Sequence, residues 1–162
     1  MRKILLAMAV VAIPAASFAQ TQLDRMETVS EAMTEAMVVM MVREMEANGA
    51  DAAPLMETLP DMVWDNAMRD AGRCILERYS DAIGDSGVET MLTNMEAYNA
   101  EIEALGENNV TISDLPEPED MLPEGLSEQQ SMEITQSCGM MELQLQRMKE
   151  SGFSDAMMNA AQ

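Results

Sequence analysis

Four stretches with the three-four apolar spacing of helix faces, each with its own start or stop signal, predict an all-α fold. No stretch shows the sustained period-two alternation of a half-buried strand, and the two cysteines fall on the apolar stripes of two different stretches. Amphipathic helices without a sheet bury their stripes only against one another. The expected architecture is therefore a small four-helix bundle-like domain with one inter-helix disulfide and a long Pro-rich acidic loop before the last long helix.

The first helix is expected over about Thr21 to Ala47, with Met26, Val29, Met33, Met37, Met40 and Glu44 along one face and Asn48-Gly49 as the stop. The second is expected from Pro60, a favoured first-turn residue with Asp61 beside it to meet the positive helix end, to Gly84. Its stripe is Trp64, Ala67, Ala71, Cys74, Arg78 or Tyr79, and Ala82. The third opens on a Ser86/Glu89 capping box, in which each side chain bonds the other's backbone amide, and closes at Gly106. Val88, Met91, Met95, Tyr98, Ile102 and Leu105 form its stripe.

The fourth repeats the device with Ser127 and Gln130, places Ser131, Ile134, Cys138, Met141, Leu145 and Met148 on one line, and ends at Gly152. A last short turn or helix is expected over Ser154 to Ala160. Between the third and fourth helices, residues 107–126 carry Pro116, Pro118, Pro123 and Gly125 among acids, which argues for a loop.

Ahead of these helices, Arg2 and Lys3, the apolar run Ile4 to Ile13 and the small residues of Ser17-Phe18-Ala19 have the three-part layout of a cleavable export signal. The apolar run stops at Pro14, about half the ~20 residues a membrane span requires. The expected organisation is a signal peptide over 1–19 and a single helical domain over 20–162, periplasmic or secreted, with no membrane span after cleavage. In an oxidising compartment Cys74 and Cys138, the only two cysteines, read as one disulfide. Closing so long a loop stabilises a fold by roughly 4 kcal/mol in the chain-entropy model.

Charge narrows the partners. The whole chain has a formal net charge of −20, and without Arg2 and Lys3 seven Lys and Arg face 29 Asp and Glu, a net −22. Such a field repels nucleic-acid phosphates and anionic lipid, and it keeps a small protein soluble as a monomer or weak oligomer.

Catalysis has little to work with. The chain has no His, which removes Ser-His, Cys-His and His-ligated metal chemistry, and its 29 acids are too many for any one pair to signal a glycosidase. No catalytic residue and no cofactor are expected. The stretch Asp114 to Asp120 lacks the ligand spacing and central Gly of a calcium loop. Arg69 and Arg73, near Trp64, are spaced for an anion site but also for ordinary pairing with Asp65 and Glu77.

Methionine is the outstanding feature: 20 in all, 18 once Met1 and Met8 leave with the signal. Flexible, polarizable thioethers fill irregular cores and also make adaptable surfaces for apolar partner segments. The run Met37 to Val42 is apolar around the whole helix, so that turn is either buried on all sides or partly open to another chain. The leading expectation is a non-catalytic domain that binds a protein or peptide through Met37, Val38, Met40, Met41 and Met45. The alternative is a Cu(I) site using the thioethers of Met33, Met37, Met40, Met41 and Met45, since soft sulfur ligands suit that ion. A small hydrolase is a third, weaker reading, for want of catalytic residues.

Overall fold

The computed structural model describes residues 15–106, 122–123 and 125–160. Among them there are six helices and no strand: α1 (Ala15–Ala47), α2 (Ala53–Glu57), α3 (Asn66–Gly106), α4 (Glu128–Ser137), α5 (Met140–Glu150) and α6 (Phe153–Ala160). The apolar run Ile4 to Ile13 and most of the acidic loop, including Pro116, Pro118 and Asp114 to Asp120, lie outside the described residues. Among the described residues no helix is long and apolar enough to cross a membrane.

α1 packs against both runs of α3, antiparallel to the first, and their shared seam is the core. Leu23 and Met26 of α1 share one core with Met68, Ala71, Ile75 and Tyr79 of the first run of α3 and with Val88, Met91 and Leu92 of the run beyond Gly84. The helical path of α3 is broken at Gly84, whose φ of 72° favours glycine, so two helical runs meet at the stop expected there, and the chain doubles back: Asp24 pairs with Arg69 of the first run while its neighbour Arg25 reaches Glu96 of the second. The Ser86/Glu89 box does not govern the second run. The Glu89 carboxylate instead accepts from Gln22 at 3.0 Å and from Arg25 at 2.6 Å, both on α1.

Asp65, five residues after Pro60, opens α3: its Oδ1 accepts the Met68 amide at 2.9 Å. A side-chain acceptor satisfies an otherwise orphaned helix N–H, whereas proline only removes one, so the cap outranks the Pro signal. Residues 58–65 are thereby left outside any helix, and Trp64 folds back onto α3. A Cβ at Gly72 would run into the six-membered ring of Trp64, with the Leu23 Cδ1 at 3.1 Å. The bare backbone of Gly72 is the notch that admits the indole. Trp64, Ala71 and, of the pair Arg78 or Tyr79, Tyr79 are buried as expected, whereas Ala67 and Ala82 are exposed and Met68, Ile75 and Leu76 are buried instead.

The Ser127/Gln130 capping box is present in both halves. The single long helix expected after it is two, because Gly139 adopts φ 78° and serves as N-cap of α5. The register changes there: Met140 is buried, while Leu145, on the expected stripe, is 55% exposed. Cys138 is the C-cap of α4, and it is disulfide-bonded to Cys74 with the Cα atoms 5.7 Å apart. The bond ties the α4–α5 arm to the middle of α3's first run. Two further contacts hold that arm: Tyr79 and Ser131 share a hydrogen bond at 2.7 Å, and Arg147 donates at 2.8 Å to the carbonyls of Asp61 and Val63. The sequence reading lacked α2, a single turn with Pro54 in its first positions and Leu55 buried, which packs against α6.

Replacing Gly72 by alanine should destabilise the protein by about 1–3 kcal/mol through overpacking against Trp64, outweighing the gain of about 1 kcal/mol in helix propensity. Urea denaturation monitored by circular dichroism checks the sign; a stabilised Gly72→Ala variant would show that the indole is not seated in this notch.

Candidate functional site

The apolar turn of α1 is partly open. Met37 is 49% exposed and Val39 42%, whereas Met40 is 4% exposed and points into the fold. Val38, Met41 and Met45 are half-buried. A helix crossing one neighbour hides one side, and here residues 50–63 cover only part of the remainder.

Two hollows result. A groove of about 520 Å³ runs between Val38 and Val39 of α1 and the segment Met56 to Val63, with Met148 and Phe153 at its floor and end. Its only charged lining residues are Glu31 and Glu35. Glu31 is engaged, accepting the backbone N–H of Trp64 at 2.9 Å, and Glu35 is exposed. Met56 and Val63 stand 49% and 64% exposed on the facing wall. On the other flank of α1, Met41 and Met45 line a hollow of about 380 Å³ with Leu55 and Met157.

The expected partner face is therefore split, with Val38 at one hollow, Met41 and Met45 at the other, Met40 buried and Met37 on the outside. Of the five thioethers considered for Cu(I), Met41 and Met45 share a hollow, and Met33 lines a different cavity. Among the described residues no group of three or more Asp, Glu or Cys is placed to hold a metal ion.

Both arginines near Trp64 are paired, Arg69 across the seam with α1 and Arg73 within its own helix. Arg69 pairs with Glu27 and, at 2.7 Å, with Asp24, both on α1, while Arg73 pairs with Asp70 one turn before it. Asp65, expected to pair along its own helix, meets Arg147 of α5 at 2.7 Å. The Met68 amide, and then the charge of Arg147, hold the Asp65 carboxyl below its ordinary value. At the opposite edge of the α1–α3 seam, Arg25 bridges Glu89 and Glu96 at 2.6 and 2.7 Å. The hydrogen bond from Arg25 holds the Glu96 carboxyl below its ordinary value, against an opposing effect of burial. Glu96 in turn is the main cause that raises the Arg25 guanidinium above its usual range. The pairs that cross between helices fasten them, and among the described residues no pair of carboxylates has opposed shifts.

No protein-family model matches this chain, and neither a curated protein nor a solved structure matches it significantly.

Because its folded value is depressed, Glu96 contributes stability that is fully present above its ordinary value of 4.5 and is lost as pH falls through the lowered folded value. Arg25→Gln should lower the melting temperature at neutral pH and flatten the acid limb of the stability curve. Thermal melts across the acid range check this, and an unchanged limb would mean the pair carries no linkage.

Proposed function

We propose that this chain is an exported, non-catalytic binding domain that takes an apolar-faced, positively charged segment of another protein into the groove beside the C-terminal half of α1. The observation that carries this reading is the grouping of Val39, Met56 and Val63, all well exposed, around one concave surface whose only charges are acidic. Scattered exposed apolar residues are ordinary; a groove rimmed by them is a recognition surface. An amphipathic helix presents apolar anchors at i, i+3 and i+4 and cations beside them, which complements an apolar trough flanked by Glu31 and Glu35. The chain's net charge of −20 adds a long-range field that draws such a segment in and discourages acidic competitors. Flexible methionines let the walls adapt to the anchor. Placement outside the cytoplasm rests on the export layout of residues 1–19 together with the Cys74–Cys138 bond, which persists in oxidising compartments.

Fluorescence anisotropy with a labelled basic amphipathic helical peptide, and an acidic peptide of identical apolar face, tests the reading on the full chain. The basic peptide should bind at least about tenfold more tightly than the acidic one, equivalent to about 1.4 kcal/mol, and the affinity should fall by a similar factor in the Val39→Lys, Met56→Lys double variant. Both substitutions lie on the surface, so the fold should be retained. Equal binding of the two peptides, or unchanged binding by the double variant, overturns the proposal.

A further inference from the structure

A separate, partly open cavity of about 330 Å³ lies beside Trp64, between α1, α3 and the α4–α5 arm. We propose that it is a binding site for a small organic cation with a bulky apolar or aromatic body. It falls in the range of small-molecule sites.

The lining specifies the ligand class. Five thioethers converge on it from three helices: Met26 and Met33 of α1, Met91 and Met95 of α3, and Met140 of α5. Unbranched, polarizable side chains re-pack around ligands of different outline and make favourable contacts with ring edges. Trp64 and Tyr79 add aromatic walls, whose electron-rich faces attract a cation. The Tyr79 hydroxyl is already paired with Ser131 at 2.7 Å, so the ring can contribute its face without its hydroxyl asking for a partner from the ligand. Among the described residues, Glu128, at the start of α4, is the only charged one in the lining, and no Lys or Arg accompanies it. An anion entering here would meet that carboxylate and the field of a chain with net charge −20 without any compensating cation in the lining.

Trp64 is the single tryptophan of the chain and forms part of the wall, so its fluorescence reports occupancy directly. The test titrates the full chain with tetraphenylphosphonium and with tetraphenylborate, which share shape and differ in the sign of charge. Saturable quenching by the phosphonium, at least about tenfold tighter than by the borate, is expected. Glu128→Gln, at an exposed position, should narrow that ratio severalfold while leaving the circular dichroism spectrum unchanged.

The Val39→Lys, Met56→Lys variant should bind the phosphonium as the parent does, which separates this cavity from the peptide groove. Loss of the response in that variant assigns it to the groove and overturns the proposal. Equal or tighter binding of the borate overturns it as well. So does a protein that ignores both probes but takes up silver(I), which would make the thioethers a metal site.

Discussion

The Cys74–Cys138 bond is the constraint on which the remaining architecture depends. The α1–α3 pair has a core of its own, with Leu23, Met68, Ile75, Val88 and Leu92 all but fully buried. The α4–α5 arm has no such resource. Its helices are 10 and 11 residues long, α4 has no buried residue, and α5 buries only Met140. Helices of that length are marginal in water without tertiary packing. Met140 in the core and the partly buried Ile134 and Leu143 against it give only modest apolar attachment, and the covalent tie, the Tyr79–Ser131 hydrogen bond and the Arg147 clamp on residues 61–65 supply the rest.

Position within the chain explains why the tie is effective. Cys138 sits at the junction of α4 and α5, next to the left-handed Gly139, so one bond fixes the hinge of both helices at once. Everything that the arm contributes to the inner cavity, including Glu128, Ser131 and Met140, is held in place through that hinge. On the opposite side, Arg147 reaches the segment that carries Trp64 and forms one wall of the outer groove. The two hollows are thus built on the same scaffold but lined by different residues, one rimmed by exposed valine and methionine and the other by inward thioethers.

Helix content, the stops at Asn48-Gly49 and Gly84, the cap at Ser127 and the pairing of the cysteines were legible because each depends on local chemistry or on a two-member inventory. What was not legible depends on competition between distant groups. Glu89 satisfies the capping-box pattern, yet Gln22 and Arg25 claim its carboxylate from 67 and 64 residues away. Pro60 is a fair helix start, yet Asp65 provides a cap and an ion pair to Arg147. Gly139 interrupts the cleanest periodicity in the chain, because a helical stripe can be drawn through a glycine whose φ is positive. The apolar turn at Met37 to Val42 was visible, as was the question whether it is covered; which flank stays open follows from the path of residues 50–63. The five methionines of the inner cavity come from three helices, and periodicity assigns each to a face without saying which faces meet.

The dependence of the α4–α5 arm on its disulfide is tested most directly by hydrogen exchange with mass spectrometry, comparing the oxidised protein with the same protein after mild reduction. Reduction should accelerate amide exchange over Glu128–Ser137 and Met140–Glu150 by orders of magnitude while the first run of α3 and the facing part of α1 keep most of their protection. Equal protection of the arm before and after reduction, or two free thiols in the starting material, would contradict the account.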